Sequence, residues 1–95
     1  MSVRLVVTIT ATPGKGNELV QVMKARCADA STEPGCEQFE AFQSVANPDK
    51  IVLLERWADQ AALDVHAKLN ASRPPVRPEL RVGNEREDYQ YNRTR

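Results

Sequence analysis

The chain opens on an alternation. From Ser2 to Thr12 (SVRLVVTITAT), Val3, Leu5, Val7 and Ile9 fall on one side, and Arg4, Val6, Thr8 and Thr10 on the other. A period of two predicts a strand with one face toward a core. Pro13 to Asn17 reads as a turn. The period then lengthens. Leu19, Val22, Met23, Cys27 and Ala30 recur at helical spacing, which predicts a helix from Glu18 to about Ser31 with one apolar stripe. Glu33-Pro34-Gly35 stops it, because Pro lacks the amide donor and Gly takes positive φ at low cost.

Cys36 to Val45 predicts a second strand, with Phe39, Ala41 and Val45 on one face and Phe42 on the other. Ala46 to Asp49 is a turn cluster of the kind that joins antiparallel strands. Lys50 to Trp57 predicts a third strand, its run Ile51–Leu54 suited to a buried inner position. Here Ile51, Leu53, Glu55 and Trp57 alternate onto one face. Asp59 is a suitable N-cap for a helix from Gln60 to about Asn70, whose inward stripe reads Ala62, Leu63, His66 and Leu69. Ala71 to Pro78 reads as an extended connection. Glu85 to Asn92 predicts a last strand, with Tyr89 and Tyr91 on one face and Arg86, Asp88 and Gln90 on the other.

The predicted order is strand, helix, strand, strand, helix, strand. That is the α+β, ferredoxin-like βαββαβ order, with an antiparallel sheet and both helices on one face. Residues 1–95 make one domain at the small end of what folds alone. The other sheet face is left open, and a second copy of the chain is the natural cover.

Composition narrows the function classes. Thirteen basic and thirteen acidic residues balance, and the inner strand Ile51–Leu54 has no aromatic side chain. Both features argue against a nucleic-acid-binding sheet. The glycines at 14 and 16 match neither common phosphate-loop spacing. Two cysteines, Cys27 and Cys36, make neither a disulfide framework nor a metal-ligand set, and buried free thiols are expected. No apolar run is long enough for a signal peptide or a membrane span, so the expected setting is cytoplasmic, with no membrane partner.

The candidate chemistry gathers on Ile51–His66. Trp57 is the only tryptophan and His66 the only histidine. Helical spacing points His66 inward, and the helix lies over the strand that carries Trp57. One buried space lined by both is expected, with Glu55 on the same strand face. His66 is the one side chain whose ordinary pKa suits a base near neutral pH. The same residues also fit an ordinary core.

Three segments carry a resemblance. They are Thr12-Pro13-Gly14-Lys15, then Glu33-Pro34-Gly35-Cys36 with Phe39, then Glu55-Arg56-Trp57-Ala58-Asp59 followed by Ala62, Leu63 and His66. Together they resemble the antibiotic biosynthesis monooxygenase domain over roughly residues 3 to 70. The resemblance implies a dimeric α/β-barrel built from ferredoxin-like subunits. It implies a cofactor-independent monooxygenase that oxidises a small quinol or polyphenolic aromatic with O₂. It places a pocket between helices and sheet, lined by Trp57 and His66. On that reading His66 is the catalytic base. Trp57, Glu55, Phe39 and Tyr89 contact the substrate, with Glu55 holding a substrate hydroxyl or the His66 tautomer and Tyr89 or Tyr91 hydrogen-bonding an oxyanion, and neither metal nor cofactor takes part. Haem-degrading members use a first-strand Asn beside the Trp and His, and Val3–Thr12 has none. The alternative is a non-catalytic dimeric module that binds a small molecule in the same pocket.

Overall fold

A computed structural model of the chain describes residues 1–73 and 77–91. Strand β1 spans Ser2–Ala11, helix α1 Gly16–Ala30, β2 Cys36–Gln43, β3 Lys50–Trp57, α2 Gln60–Ser72 and β4 Arg81–Tyr91. The strands form one antiparallel sheet in the order β2-β3-β1-β4. This is the expected ferredoxin-like α+β fold.

Register explains which face is apolar. Val3 pairs with Trp57, Leu5 with Glu55, Val7 with Leu53 and Ile9 with Ile51. All eight are buried, and residues opposite each other in a ladder point the same way. Leu19, Met23 and Ala30 from α1, and Leu63 and His66 from α2, close on this face. Burying side chains such as Ile51 or Leu19 contributes about 1.5–3 kcal/mol each.

The ends of the elements differ from the sequence reading in informative ways. Helix α1 begins at Gly16 because the Asp49 carboxylate, from the β2–β3 turn, accepts from the Gly16 amide at 2.9 Å and the Gly14 amide at 3.0 Å. A remote side chain thus satisfies donors that a local cap usually takes. Helix α2 starts as expected, with Asp59 Oδ1 accepting from the Ala62 amide at 2.8 Å. It continues through Ser72, two residues beyond the expected end. The expected extended connection is further shortened by a 3₁₀ turn at Pro78–Leu80, which drops Leu80 into the core. Residues 74–76 of that connection, the side chain of Tyr91, and Asn92 lie outside the described residues.

Two predicted core positions are exposed. Val45 lies beyond the end of β2, and Leu69 turns outward from α2. The cysteines are half-buried rather than buried, and burial pushes both thiols above their ordinary pKa.

Strand β4 starts at Arg81, earlier than predicted, and is an edge strand. Tyr89 pairs with Arg4, Glu87 with Val6 and Glu85 with Thr8. These belong to the open face, away from the helices. The helix-side row, Asn84, Arg86, Asp88 and Gln90, is exposed. The open face also carries Val6, Val52 and Leu54, half-buried, and Phe42, which is 48% exposed.

The α1–β2 turn places a charged side chain against the core. Gly35 sits at φ 79°, and a Cβ there would lie 2.5 Å from the Ala62 Cβ. Gly14 has φ 80° with nothing near its missing Cβ. Substitution at Gly14 therefore carries only the backbone cost of positive φ, and Gly35 adds a steric one. Gly14→Ala is expected to lose about 1 kcal/mol of stability and Gly35→Ala about 3 kcal/mol. Urea unfolding of both variants checks the ranking, and equal losses would show that α2 yields freely to the added methyl.

Candidate functional site

The site is built on β3. Glu55 points to the helix side, with Leu5 and Phe39 as its cross-strand neighbours. A carboxylate between two apolar side chains must find donors above the sheet. Trp57, two residues on and on the same face, supplies one, its indole Nε1 donating to Glu55 Oε1 at 3.0 Å. His66 of α2 stands over both, with Nε2 3.9 Å from Glu55 Oε1.

The other ring nitrogen meets Glu33, which the sequence placed in a helix stop and a family segment but not among the site residues. Glu33 Oε1 lies 2.8 Å from His66 Nδ1, and the Glu33 side chain is 7% exposed. A carboxylate accepts, so Nδ1 carries the hydrogen. The turn that holds Glu33 is fixed at two points. The Glu33 amide donates to the Ala30 carbonyl at 3.1 Å, and the Ala58 amide donates to the Gly35 carbonyl at 2.8 Å. The second bond joins the turn to the end of β3, next to Trp57.

The last turn of α2 completes the network. Arg73 donates from Nη1 and Nη2 to Glu33 Oε2 at 3.3 and 3.4 Å, and from Nη1 to Asn70 Oδ1 at 3.3 Å. With its oxygen facing Arg73, Asn70 turns its amide nitrogen to His66 Nε2, 2.9 Å away. With the Asn70 amide nitrogen turned to it, Nε2 is the accepting nitrogen and the network places hydrogen on Nδ1. Arg26 is the second cation here. Its burial, and then Arg73, pull its guanidinium below the ordinary value, while Glu33, Asp29 and Glu55 oppose.

The expected space between Trp57 and His66 is filled by the rings themselves. Their centroids are 4.5 Å apart with planes tilted by 34°. A third ring between them would need roughly 7 Å. Phe39 packs edge-on to both, at 5.5 Å from His66 and 6.4 Å from Trp57. Trp57 is fully buried, and His66, Phe39 and Glu55 are each at most 5% exposed. Among the described residues every buried side-chain nitrogen and oxygen has a hydrogen-bond partner.

So four of the five predicted site residues meet: Glu55, Trp57, His66 and Phe39. Tyr89 does not join them. It is half-exposed on the opposite sheet face, where its hydroxyl donates to Glu87, because the register with Arg4 sets it there. Glu33 and Asn70 were missed. The spacing of Asn70 from His66 offered a signal, since residues four apart share a helix face. No group of three or more His, Cys, Asp or Glu side chains among the described residues is arranged to hold a metal. No helix of the described residues is long and apolar enough to cross a membrane. A separate open hollow of about 270 Å³ lies beside the cluster's loop, lined by Pro34, Gly35, Ala58, Asp59, Ala61, Ala62 and Val65.

Comparison with known proteins identifies the family and the fold. The family model described as antibiotic biosynthesis monooxygenase matches residues 2–73. The Bacillus subtilis (strain 168) protein named "Putative monooxygenase YcnE" is 29% identical over 58 residues. That match spans 61% of this chain and 61% of YcnE. The crystal structure of PA3566 from Pseudomonas aeruginosa superposes with a TM-score of 0.82 at 27% identity, covering 97% of this chain and 95% of that one. Protein SO0527 from Shewanella oneidensis gives a TM-score of 0.79 at 25% identity, with 93% and 88% covered. The chain belongs to the antibiotic biosynthesis monooxygenase family.

The buried Glu33 carboxylate makes a stability statement. Glu33→Ala strips the acceptor from His66 Nδ1 and from Arg73, and is expected to cost about 2–3 kcal/mol. Arg73→Ala removes a partner that is a third exposed and should cost about 1 kcal/mol or less. Urea unfolding followed by Trp57 fluorescence measures both. A Glu33→Ala variant within about 0.5 kcal/mol of wild type would mean that water replaces the carboxylate.

Proposed function

We propose that this protein is a cofactor-independent monooxygenase acting on a small quinol or polyphenolic aromatic, with His66 as the proton acceptor. One observation carries the reading. Nδ1 of the imidazole faces the Glu33 carboxylate at 2.8 Å and Nε2 faces the Asn70 amide nitrogen at 2.9 Å, which supports hydrogen on Nδ1 and Nε2 as the basic nitrogen. Family membership supplies the reaction class.

The chemistry balances without a resident redox group. A quinol plus O₂ gives a hydroxylated quinone plus water. His66 Nε2 takes the phenolic proton, and the phenolate passes an electron to O₂. One oxygen atom bonds to ring carbon, the O–O bond breaks, and the second oxygen leaves as water. The imidazolium formed lies between two carboxylates, Glu33 at 2.8 Å and Glu55 at 3.9 Å. Both favour the charge in a dry site. Trp57 acts from behind: its indole supports the His66 ring and donates to Glu55, so substrate approaches from the Nε2 side.

A second reading has its own support. The contact between Trp57 and His66, and the full pairing of buried polar atoms, also suit a binding or regulatory module with no turnover. Oxygen uptake over a panel of quinols separates the two. The expected result is uptake above the protein-free rate, reduced about 100-fold or more in His66→Ala at preserved fold. Ligand-dependent thermal shifts without uptake would select the second reading.

The open sheet face is proposed to bind a second copy. Val6, Val52, Leu54 and the half-exposed Phe42 supply an apolar centre, with Arg4, Arg56, Glu85 and Glu87 around it. Equilibrium sedimentation is expected to give twice the 10.6 kDa chain mass, and Phe42→Glu to shift the protein toward monomer. A monomer at all concentrations would remove the proposal.

A further inference from the structure

We propose that Asn70 is a gate over Nε2 of His66, latched by Arg73, and that a ligand enters by placing its own hydroxyl where the Asn70 amide now sits. The proposal rests on reading His66 as a proton acceptor. It concerns how that acceptor is reached.

The approaches to the imidazole can be taken in turn. One ring face is covered by Trp57 at 4.5 Å, and Phe39 packs against the ring at 5.5 Å. Nδ1 is taken by Glu33, whose side chain is itself buried. On the inner side, Nε2 looks toward buried Glu55. Among the described residues, the remaining hydrogen-bonding neighbour of Nε2 is Asn70, an exposed residue whose amide nitrogen lies 2.9 Å away. Asn70 is thus the only one of these neighbours that can swing into water without breaking the core.

The latch is visible in the partners of Arg73. Its Nη1 lies 3.3 Å from both Asn70 Oδ1 and Glu33 Oε2. Its backbone amide also donates to the Asn70 carbonyl at 3.1 Å. One guanidinium thus holds the gate residue and the carboxylate that orients the imidazole. When Asn70 leaves, a donor must replace its N–H at Nε2, or a buried acceptor is left without a partner. A phenolic hydroxyl is such a donor. An aryl methyl ether is not, and the site should discriminate against it. Arg73 would then stand beside the oxygen that loses its proton, where a cation favours the phenolate.

The chain has one histidine, which makes the test direct. With ¹⁵N-labelled histidine, the wild-type spectrum of the neutral imidazole, taken where it no longer changes with rising pH, should show Nδ1 protonated and Nε2 not. An Nε2–H tautomer would overturn the gate, because no lone pair would be there for Asn70 to cover. Ethoxyformylation of His66 by diethyl pyrocarbonate, followed by mass spectrometry, then reads access to Nε2. Rates are taken on the alkaline plateau of each protein, where the imidazole is neutral. Asn70→Ala should react about fivefold faster than wild type or more, the population equivalent of one ordinary hydrogen bond. Arg73→Gln should shift the rate the same way by less. Catechol should slow the reaction in wild type, and 1,2-dimethoxybenzene should not. Trp57 emission reports whether each variant is folded, and Asn70→Ser serves if the alanine variant is not. Rates in a folded Asn70 variant equal to wild type would overturn the proposal, as would equal protection by the two probes. Absent oxygen uptake with the tautomer and rates as stated would defeat the oxygenase reading alone. Intact uptake with unchanged rates would defeat the gate alone.

Discussion

A carboxylate on the helix side of β3 has to be partnered, and much of the site follows from that need. Glu55 lies between Leu5 and Phe39 in the ladders, where water cannot serve it. The alternation of β3 sets the Trp57 indole beside it, and α2 sets His66 above it. Once His66 is there, its Nδ1 needs an acceptor, and the α1–β2 turn supplies Glu33. Glu33 needs a cation, and the end of α2 supplies Arg73. Each partner is placed by a different element. The polar network therefore joins the sheet, a turn and a helix that apolar packing alone would hold less specifically.

The network costs stability relative to an apolar core of the same shape. Two carboxylates and an imidazole are desolvated, and only Arg73 and Asn70 keep substantial contact with solvent. Replacing such a group with packed hydrophobic residues is often neutral or stabilising. A site that holds an imidazole in one tautomer, against a dry aromatic wall, is better explained by what it prepares than by what it stabilises. The cluster's closed state agrees with this. Trp57, Phe39 and His66 already pack ring against ring, so the aromatic wall is complete as it stands.

The sequence made the sheet legible because its period is two and its faces differ. Val3 to Ile9 and Ile51 to Trp57 point where alternation predicts, and that alone brought Glu55 and Trp57 together. His66 was legible for the same reason at helical period. Tyr89 was not. In β4 the two rows are polar and exposed on both sides, so nothing in the strand says which row faces the helices; only the pairing with Arg4 decides it. Glu33 was hidden by its neighbours. Next to Pro34 and Gly35 it reads as part of a stop signal, and its role depends on a turn held by the Ala58 amide. Leu80 was hidden by the prolines before it. That the Trp57 and His66 rings touch, with centroids 4.5 Å apart, is a matter of distance, which periodicity does not carry.

The two faces of the sheet divide the work. The helix side of β1 and β3 is saturated by α1 and α2, and the charged cluster occupies its end near Trp57. The other side keeps an apolar centre within a charged margin. Arg4 belongs to that open side, yet it donates to the Glu55 carbonyl at 3.4 Å and to the Gln38 side chain. It thereby links β1 to β3 and β2 at the residue that carries the buried carboxylate. Force applied to the open face at Arg4 reaches the backbone of Glu55 through one hydrogen bond. From there the side chain leads to Trp57 and His66. The open face and the support of the imidazole thus share one strand, β3, with Arg4 bonded to the backbone on one side and the Glu55 carboxylate facing His66 on the other.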